Sequence, residues 1–153
     1  IATAYLVDER YDAAERESKL TIDESESVPL RRGEAMAVLA ACELERNDAE
    51  SAADRAQKSL DLMSRVGGQP FYFTLARLTL ARALDSTGRE SEAREALEVA
   101  FEELRLRAEA IASFADPEAF WQNIPVHRQT LELANQWLDL PRIEADQPKE
   151  VTP

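Results

Sequence analysis

Apolar residues recur along most of this chain at three- and four-residue spacing, the period of one face of an α-helix. Nowhere do β-branched residues alternate with polar ones, as a half-buried strand requires. The longest stripe is Ala93, Leu97, Ala100, Phe101, Leu104, Ala108 and Ile111, which predicts a helix of about twenty-two residues after a turn at Gly88. Phe73, Ala76, Leu80, Ala83 and Leu84 mark the helix before it. Ala52, Ala53, Ala56, Leu60 and Met63 mark one over 49–66, and Met36, Leu39, Ala40 and Leu44 one over 30–46. A thinner stripe, Tyr11, Ala14, Ser18 and Ile22, covers 11–23, and a first helix is expected over 1–8.

Turn chemistry separates these segments. The acidic run Asp23-Glu24-Ser25-Glu26-Ser27 reads as a solvated loop, and Pro29 fits the first turn of the next helix. Gly67-Gly68 ends a helix by supplying the left-handed backbone, and Pro70 restarts the chain. Asp116-Pro117 reads as the cap and first residue of a short turn through Trp121. Pro125 opens a last helix to about Asp139, with Val126, Thr130, Leu133 and Trp137 in one row and Leu131, Ala134 and Leu138 beside it. So wide a stripe suits a helix that caps a stack. The fold class is therefore all-α, with about seven helices.

A short signature occurs three times. Tyr11-Asp12-Ala13-Ala14, Asn47-Asp48-Ala49-Glu50-Ser51-Ala52 and Gly88-Arg89-Glu90-Ser91-Glu92-Ala93 each place a polar turn before an alanine, between helical segments. Ala14 and Ala52 are 38 residues apart, and Ala52 and Ala93 are 41 apart. A quasi-period of that size belongs to stacked helical hairpins, and the small residue lets two helices approach closely. The expected organisation is one helical domain over 1–140, with hairpins at about 1–27, 28–68 and 69–112, capping helices over 116–140, and a flexible tail at 141–153.

Charge narrows the partners. Thirty acidic against 18 basic residues give a net charge of −12 in 153 residues, which opposes nucleic acid and anionic membrane surfaces. No apolar run is long enough to span a bilayer. The chain starts at Ile1 inside a helical pattern, so it is expected to be a piece of a longer protein. A lone Cys42 gives no sign of an oxidising compartment, and a cytoplasmic location is expected.

Catalytic chemistry has few residues to draw on. His127 is the only histidine, no serine sits on a strand-to-helix elbow, and Gly67-Gly68 lacks the rest of a phosphate loop. Adjacent carboxylates such as Glu102-Glu103 do not face one another on a helix. One histidine and one cysteine far apart make a poor metal ligand set. No catalytic residue, cofactor or metal ligand is assigned, and Trp121 and Trp137 are expected to seal the end of the core.

The hairpins resemble tetratricopeptide repeats. Leu80 and Ala81 stand at that family's large-small pair, Leu84 at the following aromatic position, Ala93 at the inter-helix alanine, and Leu97 and Ala100 at the last two positions. The second hairpin matches with Leu39, Ala40, Ala52, Ala56 and Ser59, and the first with Tyr5 and Ala14. The periods exceed the family's roughly 34 residues, and its closing proline is not consistently placed. Longer variants occur in kinesin-light-chain-type repeats and in bacterial signalling proteins. The stretch from Phe120 to Arg128, with Leu131-Glu132-Leu133-Ala134, also looks like the end of the repeat region in large bacterial ATPase- or kinase-type regulators.

That resemblance implies a right-handed superhelix whose first helices line a concave groove for a peptide or partner helix. Aligned with the family, the groove would be built from Thr3, Leu6 and Val7, then Glu34, Ala37, Val38, Ala41 and Leu44, then Leu75, Leu78, Thr79, Arg82 and Asp85. Leu75 and Leu78 lie off their helix's core stripe; either neighbouring helices cover them or they form an apolar docking strip. The expected function is a non-catalytic protein-interaction scaffold in a larger bacterial regulator, with a homodimer through exposed repeat ends as a further option. The alternative is a sensor that binds a small-molecule or peptide signal and controls a linked ATPase or kinase. An enclosed pocket between the concave helices would mark the sensor, and an open channel the scaffold.

Overall fold

The computed structural model describes residues 10–113 and 116–138, so the helix expected over 1–8, the groove positions Thr3, Leu6 and Val7, and the tail at 141–153 lie outside the described residues. Seven helices and no strand are found among the described residues. They are α1 (Tyr11–Glu24), α2 (Pro29–Glu45), α3 (Ala49–Val66), α4 (Pro70–Ser86), α5 (Glu90–Ile111), α6 (Pro117–Gln122) and α7 (Pro125–Trp137). Prolines open α2, α4, α6 and α7, where the missing N–H would have had no helical partner anyway. The acidic run expected as a solvated loop begins inside α1, which extends through Asp23 and Glu24, and Ser25 after it is buried.

Three helix starts share one geometry. The residues capping α1, α3 and α5 are Arg10 (φ −90°, ψ 62°), Asp48 (φ −94°, ψ 67°) and Arg89 (φ −91°, ψ 57°). Each cap's carbonyl accepts the N–H of the alanine four residues on, Ala14, Ala52 or Ala93, at 3.0 Å in every case. All three alanines are fully buried, as close helix packing requires. The two turns that precede α3 and α5 also close alike. Asn47 (φ 62°) and Gly88 (φ 77°) take the left-handed backbone. The next N–H then reaches back to a carbonyl five residues earlier, Asp48 to Glu43 at 3.0 Å and Arg89 to Leu84 at 2.9 Å.

Packing follows chain order, with one addition. Each helix from α1 to α5 packs on the next, and α2 also packs on α4, while α7 packs on α4, α5 and α6. The helices α2, α4 and α7 therefore form a contiguous row, α2 packing on α4 and α4 on α7. A single apolar cluster runs through the stack from Ala14 on α1 to Val126 on α7. Met63 and Leu97 are its largest fully buried aliphatic side chains, and Leu104, outside the cluster, is as deeply buried; each is worth about 1.5–3 kcal/mol in transfer from water.

Two details depart from the stripe pattern. On α2 the buried side includes Ala35, while Met36 is only partly covered. Gly33 is also buried, and a Cβ there would stand 2.8 Å from Met63 Cγ, so α2 and α3 approach where one of them carries no side chain. Ser59 of α3 uses that proximity to donate a hydrogen bond to the Gly33 carbonyl at 2.7 Å.

Candidate functional site

The expected groove positions lie on α2 and α4, two members of this contiguous row. Their apolar members belong to the core. Ala37, Val38, Ala41 and Leu44 are buried on α2, and Leu75, Leu78 and Thr79 on α4. Leu75 and Leu78, at 7% and 2% exposure, form no exposed docking strip. The reason is the number of neighbours: α4 is packed by α2, α3, α5 and α7, so its residues are covered well beyond a single stripe. Of the ten groove residues on these helices, only Glu34, Arg82 and Asp85 reach solvent appreciably.

Those three carry charge, and two have internal partners. Arg82 pairs with Glu45 across α4 and α2 at 3.0 Å, and Glu34 accepts the Gln69 N–H at 3.4 Å. Arg77, one turn before Arg82, pairs with Glu103 on α5 at 2.6 Å and lies 5.5 Å from the Phe73 ring. Such partly exposed pairs contribute about 0–1 kcal/mol each, enough to orient a side chain but not to hold a fold together. The row therefore offers a polar, charge-bearing edge above an apolar interior.

The residues with possible chemistry are engaged in structure. Cys42 on α2 is fully buried, and that burial, with Glu15 nearby, pushes its thiol up to about 11. It stays protonated and unreactive at neutral pH. His127, at the start of α7, is 1% exposed. Its Nδ1 lies 3.0 Å from the Phe120 carbonyl, an acceptor only, so Nδ1 carries the proton in the neutral ring. Burial lowers its pKa, and the Arg107 charge lowers it further against the opposing pull of the carbonyl.

Around His127 the short helix α6 is fastened by rings. Phe120 lies 4.5 Å from the imidazole and edge-on to Trp121, Trp121 stacks on Phe101 of α5 at 5.8 Å, and Arg107 sits over Phe120 at 5.5 Å. Trp121 and Trp137 are each partly buried, so both stand at the edge of the core.

Sequence reasoning passed over two exposed residues on α5. Val99 and Leu106 lie off the stripe that marked this helix, two turns apart, and with Glu95, Glu98, Glu102 and Glu103 they line a shallow, mainly apolar depression. A second open depression is lined by Arg10, Tyr11, Asp12, Ala13 and Arg16 at the start of α1. Among the described residues no group of three His, Cys, Asp or Glu side chains is placed to hold a metal ion, and no helix is long and apolar enough to cross a membrane. Compared with protein-family models, curated proteins and solved structures, the chain matches none.

Proposed function

We propose that this chain is a non-catalytic interaction module, a stack of helical hairpins similar to tetratricopeptide repeats, that holds a peptide or helix of a partner protein along the row formed by α2, α4 and α7. The observation that carries this reading is the row itself. Helices α2 and α4, which begin separate hairpins, pack directly on one another as well as on their own partners, and α7 packs on α4. Their outer edges then form one continuous surface that no single hairpin could offer.

Because the apolar floor is occupied by the core, recognition on this row falls to Glu34, Glu45, Arg82 and Asp85. A net charge of −12 favours basic segments, which associate faster at low salt. The sensor reading has less in its favour: the two surface depressions are open, and they are lined by residues of α1 and its flank and by residues of α5, not by the row.

Selection of a displayed random-peptide library on the purified chain tests the proposal. Selected peptides should be rich in Lys and Arg, and their binding should fall at least tenfold with Glu34→Lys/Asp85→Lys. It should be unchanged by Lys58→Glu, an exposed position on α3. Equal binding to the wild type and the double variant would refute it.

A further inference from the structure

We infer that the outward face of α5 is a docking site for a basic amphipathic helix, separate from the row of α2, α4 and α7 and independent of it. The helix has two unlike faces. Ala93, Leu97, Ala100, Phe101, Leu104 and Ala108 are buried toward the stack. Val99 and Leu106, by contrast, are 47% and 54% exposed, two turns apart on one outer line.

A single exposed aliphatic residue on a helix needs no explanation. What sets these two apart is their alignment at heptad spacing and their frame of Glu95, Glu98, Glu102 and Glu103 around one apolar depression. Glu102 and Glu103 are paired with Arg105 and Arg77. Neither Glu95 nor Glu98 takes part in an ion pair among the described residues. The face therefore presents an apolar seam beside the charges of Glu95 and Glu98, which no described residue neutralises.

Charge decides the occupant. A second copy docking through the same face would set carboxylates against carboxylates, and an anionic lipid surface would be repelled for the same reason. An incoming helix with leucine-like residues every three or four positions, flanked by Lys and Arg, satisfies both parts of the surface. Its apolar side chains cover Val99 and Leu106, and its cations reach the glutamates on either side, as flanking charges do across a two-helix seam.

The probe is a fluorescein-labelled synthetic peptide of three heptads, with Leu at the seam positions and Lys beside them, titrated with the whole chain by fluorescence anisotropy. Val99→Asp/Leu106→Asp, both at exposed positions, should weaken binding tenfold or more. Glu95→Lys/Glu98→Lys, which leaves the apolar seam in place, should also weaken it and flatten its salt dependence. Leu20→Asp, at an equally exposed leucine on α1, should leave binding unchanged. The inference is overturned if the peptide does not bind, if the Val99/Leu106 variant binds within twofold of the wild type, or if Leu20→Asp causes an equal loss. It is also overturned if sedimentation shows a dimer that Val99→Asp/Leu106→Asp dissolves, because the occupant would then be a second copy.

Discussion

Replacing Gly33 by alanine sets two effects of similar size against each other. Glycine inside a helix costs about 1 kcal/mol relative to alanine, so at an open position Gly33→Ala would stabilise α2 by that amount. The new Cβ, however, would stand 2.8 Å from Met63 Cγ, with Leu62 Cγ and Cδ2 at 3.6 and 3.7 Å. Only the methionine contact is too short, and relieving it to an ordinary carbon separation takes a shift of about 1 Å. Met63 is fully buried and has little room, since a Cβ at Gly68 would meet its Sδ at 3.1 Å and its Cβ at 3.2 Å. Overpacking of this kind costs about 1–3 kcal/mol, so Gly33→Ala should be neutral to about 2 kcal/mol destabilising in the wild type.

In a Met63→Ala background, itself about 2–5 kcal/mol less stable, the obstructing atom is gone and the same substitution should stabilise by about 1 kcal/mol. Urea unfolding of the four proteins, followed by far-UV circular dichroism, closes the cycle. The coupling between the two sites should be about 1–3 kcal/mol, with the sign of the Gly33→Ala effect changing or vanishing between backgrounds. If Gly33→Ala stabilised both backgrounds by the same 1 kcal/mol, the close approach of α2 and α3 at this point would be wrong.

Three further outcomes follow from features elsewhere in the stack. Ser18 is fully buried and its hydroxyl has no hydrogen-bond partner among the described residues, so Ser18→Ala should raise stability by about 1–2 kcal/mol, and a lower melting temperature would count against its burial. Gly88 sits at φ 77° with nothing within 4 Å of an added Cβ, so Gly88→Ala should cost about 1–2 kcal/mol through the backbone alone; an unchanged urea midpoint would contradict that turn. His127 has a lowered pKa in the folded chain, so the unfolded chain binds the extra proton more readily, and stability should fall as pH drops below about 6.5, the imidazole's ordinary value. Between pH 7.5 and 5.5 the wild type should lose more melting temperature than His127→Gln, whereas Glu15, held down by Lys19 and Arg46, contributes only near and below its ordinary value of 4.5.

Helix positions were the most legible feature of the chain, because they rest on local rules. The stripe from Ala93 to Ile111 and the turn at Gly88 placed α5, and Pro29, Pro70 and Pro125 marked the starts of three other helices. The equivalence of Ala14, Ala52 and Ala93 was also visible, since a small residue at a fixed distance from a polar turn is a sequence pattern with a packing cause. Surface and interior were harder to separate. A single-stripe reading of α4 left Leu75 and Leu78 outside, although that helix has only Arg77, Arg82 and Asp85 as charged residues, the composition of an element buried on most sides. Which residues oppose one another across helices has no local signature: nothing around Gly33 announces Met63, and nothing around His127 announces the Phe120 carbonyl. The same limit applied to the proposed sites. The alignment put its groove positions on α2 and α4, where the structure buries seven of the ten, and Val99 and Leu106 lie outside the buried stripe that marks α5.

The enclosure of α4 also bears on how such a chain could change. A substitution on that helix must be accommodated by α2, α3, α5 and α7 together, so few alternatives at its interior positions would keep the stack intact. The exposed positions of α3 and α5 are under no such constraint from neighbouring helices. New specificities could be tried there one residue at a time, while the central helix keeps the architecture from drifting.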